Sequence, residues 1–212
     1  MKKFICVSIF FTFSTVPLII SYFLSKRYRK FTSKLQNADD NSYYQCIFFD
    51  YKNFNCRTHF LNKNECGDAC SYVHLIRLLK FIESAKHSIS MCMYMLTLKQ
   101  VSTVLVNAAR RGVNVRVIMD KAMSQTTPTL ASLKDFDKWR VFYKMPDSTD
   151  VMLHHKFCLI DENHPQLAKM FFGSLNLTAQ AMCKNFETVV LTNNSDWIQT
   201  FSQEFEDLWF YL

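Results

Sequence analysis

Glycine is nearly absent from this chain: three in 212 residues, where ordinary usage of about 7% would supply about 15. Phosphate-cradling loops of the dinucleotide and P-loop types need several glycines in one turn. Gly67, Gly112 and Gly173 are widely separated, so nucleotide binding of those two kinds is excluded. Internal repeats and low-complexity tracts are absent as well. A composition that is 49% hydrophobic, with 20 Phe, excludes collagen-like and disordered classes, because so much apolar surface offsets the entropy of ordering. The length fits one domain of roughly 100–200 residues plus a small appendage, enough to bury a substantial core.

Acidic residues are missing from residues 1–34, which hold seven of the 25 Lys and Arg. The other 18 balance all 18 Asp and Glu. The net charge of +7 therefore belongs to the N-terminal segment and is no evidence that the globular part binds polyanions. Phe4 to Ser25 is a stretch of 22 residues without a charge, and about 20 apolar residues suffice to span a bilayer. Basic residues from Lys26 to Lys34 follow it and favour a cytosolic C-terminal side. A cleaved secretory signal is the rival reading. The Lys2-Lys3 start suits it, whereas the length and the basic downstream flank do not. The expected organisation is a tail at 1–3, a transmembrane anchor at 4–25, a basic flank and linker at 26–45, a Cys/His-rich segment at 46–74 and a catalytic domain at 71–212.

Within the globular part, Ser71 reads as an N-cap to a helix over 72–85 with apolar residues at helical spacing. Ile89–Leu96 reads as a buried strand, and Leu98–Arg111 as a helix with Gly112 just beyond its end. Val113–Met119 alternates as a strand. A helix at Leu130–Lys138 and a short strand at Trp139–Tyr143 follow. Strands are expected at His155–Ile160, Met170–Phe172 and Glu187–Leu191, then a last helix at Asp196–Leu212. Strands alternating with helices give an α/β fold with a mixed or largely parallel sheet flanked by helices.

The chemistry concentrates in His154-His155-Lys156-Phe157-Cys158-Leu159-Ile160-Asp161. Residues two apart on a strand share a face, so His154 and Lys156 project together. His155 and Asp161 project the other way. An imidazole beside an ammonium suits a phosphate ester: the ring serves as nucleophile or general acid–base, and the lysine neutralises phosphate oxygens. By itself the pair equally fits a solvated strand face. His155 reads as a packed histidine, Cys158 as core filler and Asp161 as a turn stabiliser. Gly173-Ser174-Leu175-Asn176 follows. Gly173 ends a strand, where a missing side chain permits close approach of a ligand, and Ser174 and Asn176 can donate to phosphoryl oxygens. Asn185 serves equally well as a turn residue. Glu187 can hold a histidine nitrogen and fix its tautomer.

The pattern HxKxxxxD, then GSxN, then a downstream Glu resembles the phospholipase D superfamily. It is carried by His154, Lys156, Asp161, Gly173, Ser174, Asn176 and Glu187. The strings MLHHKFCLID and FFGSLNLTAQA, with one such motif in a short chain behind an anchor, resemble the Zucchini-type subgroup of mitochondrial cardiolipin hydrolases. The resemblance implies attack by His154 on phosphorus, a phosphohistidine, and a second histidine to protonate the leaving oxygen. With one motif per chain, that histidine would be His154 of a second copy in a C2 homodimer. It also implies catalysis without a metal, with His154, Lys156 and Asp161 as catalytic residues and Ser174, Asn176 and Glu187 supporting the phosphate. The implied substrates are single-stranded RNA, cleaved in piRNA maturation, or cardiolipin, hydrolysed to phosphatidate. The implied place is the mitochondrial outer membrane, with the domain facing the cytosol. A non-catalytic, membrane-tethered adaptor is the alternative, against which the intact motif argues.

Four cysteines crowd together with His59 and His74. Cys56-x2-His59 and Cys66-x3-Cys70 supply four N/S donors, the set that a structural tetrahedral Zn²⁺ takes. The resemblance also implies a small zinc module here, with a Cys-x-Cys-x3-His pattern in the subgroup. This chain departs from it, with Asn64 at the first Cys and Cys70 at the His, and His59 available as the replacement. Cys46 and His74 remain alternative ligands, and disulfides or free thiols alternative fates.

Overall fold

The computed structural model describes residues 20–27 and 43–212. Residues 20–27 are helical (α1). The rest of the expected anchor, residues 4–19, lies outside the described residues, as does most of the basic flank and linker. Among the described residues no helix is long and apolar enough to cross a membrane.

Residues 43–212 build one seven-stranded mixed sheet covered by helices on both faces. Its strands are β1 (Tyr44–Phe49), β2 (Ser88–Met93), β3 (Asn114–Met119), β4 (Phe142–Lys144), β5 (Lys156–Ile160), β6 (Lys169–Gly173) and β7 (Glu187–Thr192). They lie in the order β1-β7-β6-β5-β2-β3-β4. Only the β2–β3 and β3–β4 pairs are parallel; the other four are antiparallel. The helices are α2 (Arg57–Asn62), α3 (Ser71–Glu83), α4 (Lys99–Arg110), α5 (Lys121–Ser124), α6 (Thr127–Trp139), α7 (Ala179–Lys184) and α8 (Ser195–Tyr211).

Side-chain alternation on the strands divides the core in two. Ile89, Met91 and Met93 of β2, with Cys158 and Ile160 of β5, pack with Leu75, Leu78, Leu105 and Phe136 of the helices between the strands. The opposite parity, Cys92, Ile118, Phe157, Leu159 and Met170, packs under Ile198 and Phe205 of α8. Strands buried on both sides read as continuous apolar runs, and β5 is buried along its whole length. The α8 face also holds a charged lock. Arg116 makes a two-pronged pair with Glu206 and lies 4.8 Å from the Phe205 ring centroid, while Ser88 and Ser90 donate to the Glu162 carboxylate.

Several expected boundaries move. Trp139 ends α6 instead of opening a strand. Leu96 lies beyond β2, in an isolated bridge to Leu177. Ser71 is not the N-cap of α3. Cys70 occupies that position, because the Ser71 hydroxyl is buried and donates to the Met182 carbonyl. Tyr44 and Gln45 belong to strand β1, not to a linker, and β1 pairs with β7.

Candidate active site

One end of the sheet collects His154, Lys156, Gly173, Ser174 and Glu187. It comprises the start of β5, the ends of β2 and β6, the start of β7 and the end of β1. His154 precedes β5 rather than lying within it. It nonetheless meets Lys156, whose Nζ lies 3.3 Å from His154 Nδ1 and donates to the His154 carbonyl oxygen at 2.8 Å. Burial pushes the Lys156 ammonium below the ordinary lysine range, and the nearby Glu187 carboxylate pulls it back up in part. A partly desolvated cation of this kind binds an anion more strongly than a solvated one.

Tyr94, absent from the sequence reading, packs against this pair. Its ring centroid lies 4.6 Å from that of His154, and the Lys156 Nζ sits 5.1 Å from it. Its signal was a polar-tipped aromatic at the end of an apolar strand. Asp120 was missed too. Its carboxylate caps α5 at Met123 N and accepts from Leu153 N at 3.1 Å. It thereby pins the backbone one residue before His154.

Gly173 and Ser174 sit at the end of β6. A Cβ on Gly173 would come 2.0 Å from the Thr188 carbonyl oxygen. The close approach that requires glycine is therefore made by the β7 backbone, not by a ligand. The Ser174 hydroxyl donates to Glu187 and accepts from Thr188 N at 3.1 Å. Asn185 donates to the other Glu187 oxygen at 2.9 Å. Glu187 thus organises Ser174 and Asn185, where a histidine ring had been expected as its partner. Asn176 Oδ1 is buried with no hydrogen-bond partner among the described residues, leaving a polar atom open beside this network.

Asp161 is not brought to the site. It follows β5 at the opposite end of that strand, with a left-handed backbone (φ 52°). Its carboxylate accepts from the amides of Lys86, His87 and Ser88. Burial raises its pKa, and those three amides more than offset it, so it titrates below the ordinary carboxylate. His155 faces α8 and pairs with Glu204 at 3.3 Å. Beside His154, Pro146, Val151, Met152 and Leu153 line a mostly apolar cavity of about 380 Å³ with Leu208, Tyr211 and Leu212 of the C-terminus.

A second cluster lies between β1 and α3. The donor atoms of Cys56, His59, Cys66 and Cys70 all fall within 4.8 Å of one another. Cys56 and Cys66 sulfurs are 3.8 Å apart, and His59 Nδ1 is 3.2 Å from the Cys70 sulfur. Ligands at 2.0–2.3 Å on a tetrahedral ion stand about 3.3–3.8 Å apart, so this set can hold a metal. The Cys66 thiol, hydrogen-bonded to Cys56, is pushed up to about 11, whereas at Cys70 burial is outweighed by the backbone amides and His59, which bring the thiol down to about 6. Several thiolates this close repel unless a cation sits between them. Cys46 and His74 are outside the cluster.

Comparison with known proteins agrees with this geometry. Residues 78–209 match the family described as "Cardiolipin synthase, PLD-like domain". A Chlamydomonas reinhardtii protein named mitochondrial cardiolipin hydrolase is 29% identical over 171 residues, covering 78% of this chain and 72% of that protein. The Danio rerio protein of that name is 33% identical over 147 residues, covering 66% of this chain and 61% of its own length. The Homo sapiens protein is 29% identical, with 55% of its length covered. The chain thus spans less than two thirds of the zebrafish and human relatives. Among solved structures, the phospholipase D family member Nuc from Salmonella typhimurium superposes with a TM-score of 0.62 at 21% identity, covering 80% of this chain and 95% of Nuc. NucT from Helicobacter pylori gives 0.56 at 18% identity, covering 79% and 95%. These two likenesses speak to the fold. The match over most of the domain, on a sheet end that gathers histidine, lysine, serine, asparagine and glutamate, shows that the chain belongs to the phospholipase D superfamily of phosphodiesterases.

Proposed function

We propose that the protein is a membrane-anchored phosphodiesterase that works through a phosphohistidine on His154. The observation that carries this reading is the His154–Lys156 contact beside the Tyr94 ring. Attack by Nε2 requires the ring proton on Nδ1, a tautomer in which Nδ1 no longer accepts from Lys156, so the ammonium moves off the ring nitrogen that it reaches in the resting structure. Lys156 then keeps its bond to the His154 carbonyl and turns its remaining protons to the phosphate. The Nε2–P bond forms as the bond from phosphorus to the leaving oxygen breaks, and that oxygen takes its proton from a second histidine. Water then attacks phosphorus, gives its proton to the same histidine, and releases His154. Ser174, held by Glu187, and the Asn176 amide support the phosphoryl oxygens. Asp161 serves by holding the far end of β5.

The second histidine comes from another copy of the chain. The surface next to His154 is suited to self-association, because Val151, Met152 and Tyr211 are 58%, 63% and 83% exposed. An apolar rim of this kind around a catalytic group fits an isologous contact on a two-fold axis. Cys56, His59, Cys66 and Cys70 would hold one structural Zn²⁺. A metal there links the turn after β1 to the start of α3, and every ligand position is filled by protein.

Single-stranded RNA is the leading substrate. Cardiolipin is the second reading, supported by the name of the relatives. The mitochondrial outer membrane, with the domain in the cytosol, is the proposed location. The test offers the full chain single-stranded RNA, cardiolipin vesicles and a chromogenic diester, beside His154→Asn. Wild-type turnover with a loss of at least 10³-fold in the variant is expected. Equal behaviour of the two proteins on all three substrates would overturn the reading.

A further inference from the structure

Beyond the phosphate site, the same sheet end carries an unexplained group of exposed rings and lysines. Phe186 stands between Asn185 and Glu187, both in the site network, and is 72% exposed. Its ring meets Phe54 edge to face, with centroids 5.7 Å apart and planes at 72°. The Lys184 Nζ lies 5.8 Å from the Phe54 ring. Next to them Tyr51 is 66% exposed, with the Lys52 Nζ 5.7 Å from its ring. A phenylalanine left this open forgoes about 2 kcal/mol of burial. Edge-on support from Phe54 keeps the ring in place while leaving a face free.

From these contacts we infer that Phe186, braced by Phe54 and flanked by Lys184, is a stacking subsite for a base of a single-stranded polynucleotide. This rests on the phosphodiesterase reading of the neighbouring site and deepens it. Strands are spaced about 4.8 Å apart, and β7 is two strands from β5. Lys156 lies level with Gly173 and Val189, and Phe186 stands three residues before Val189, about 10 Å along the strand, so the subsite is about 14 Å from Lys156, within reach of a nucleotide one or two removed from the phosphate under attack. Rings that take bases beside cations that take phosphates are what sequence-tolerant single-strand binding uses. A lipid headgroup offers the phosphate but no flat ring to stack. The self-association surface lies on the other side of His154, toward β4 and α8, so a second copy there leaves Phe186 open.

The test measures Kd in the full-length His154→Asn protein, which removes turnover. A short fluorescent single-stranded RNA is compared with versions that each carry one abasic residue, one or two positions to either side of the cleavage position. Phe186→Ala is expected to weaken the intact strand about ten-fold, and Phe186→Trp to retain it. One abasic position should weaken the Phe186 protein about ten-fold and the alanine variant hardly at all. That non-additivity marks direct contact, which a merely misfolded loop would not produce. Equal affinity of both proteins for the intact strand would overturn the inference, as would equal sensitivity to every abasic position. A loss confined to sedimentation with anionic vesicles would assign the patch to a lipid surface instead. Since no turnover is involved, the result stands apart from wild-type cleavage, on which the phosphodiesterase reading itself depends.

Discussion

Lys156 donates to the carbonyl oxygen of His154 while its ammonium lies 3.3 Å from that residue's ring nitrogen. One side chain thus fixes the backbone of the proposed nucleophile and brings positive charge to it. Replacing Lys156 with Met should lower kcat by about 10²–10³, the loss seen when one positioned donor to a developing oxyanion is removed.

The pH dependence follows from the same pair. Burial depresses the Lys156 pKa, and Glu187 opposes that shift. Lys156 must carry its proton to neutralise phosphate, so kcat/KM should fall on the alkaline side at a pH lower than an ordinary lysine would set. Glu187→Gln removes the opposing charge and should move this limb further down. A profile whose alkaline limb moves upward in Glu187→Gln would contradict the assignment.

Asp161 is expected to matter for stability and not for turnover. Its carboxylate is 1% exposed and accepts three backbone amides. Asp161→Ala leaves those amides unsatisfied and should cost about 2–4 kcal/mol. Activity per folded molecule should stay within a few-fold. Because its folded pKa is depressed, the stabilisation is fully present above the unfolded value of about 3.9. It disappears as pH falls through the lower folded value. Denaturant melts of wild type and Asp161→Ala at pH 7 and below pH 3 should therefore converge in acid.

Metal analysis of the purified chain should find one equivalent of zinc, lost in Cys56→Ser or Cys70→Ser. Brief chelation should leave turnover intact. Prolonged chelation should expose residues 51–70 to protease before activity falls. Rapid loss that returns on adding metal, without a change in protease sensitivity, would mean a catalytic ion.

Legibility in the sequence followed the range of the interactions. Helices α3, α4 and α8 and strands β2, β3 and β5 rest on their own periodicity and were read within a few residues. Strand β1 was not, because its partner β7 lies about 140 residues away and its outward residues Tyr44, Cys46 and Phe48 are exposed. The α2 and α7 helices, six residues each, are too short to show a period. In the site, His154 and Lys156 were found from motif and parity together. The partners of Glu187 were not, since Ser174 and Asn185 reach it only once β6 and β7 are paired. Asp161 looked catalytic by its place in a motif. Strand parity already turned it away from His154 and Lys156 as a turn stabiliser, and its three amide partners place it at the other end of the strand.

The most direct test of the central claim is to trap the covalent intermediate. Full-length protein is quenched during turnover of a phosphodiester and its peptides are analysed by mass spectrometry at alkaline pH, where phosphohistidine survives. A phosphoryl adduct should appear on His154, vanish on acid treatment, and be absent from His154→Asn. Turnover with no adduct, or with an adduct on a different residue, would contradict nucleophilic catalysis by His154.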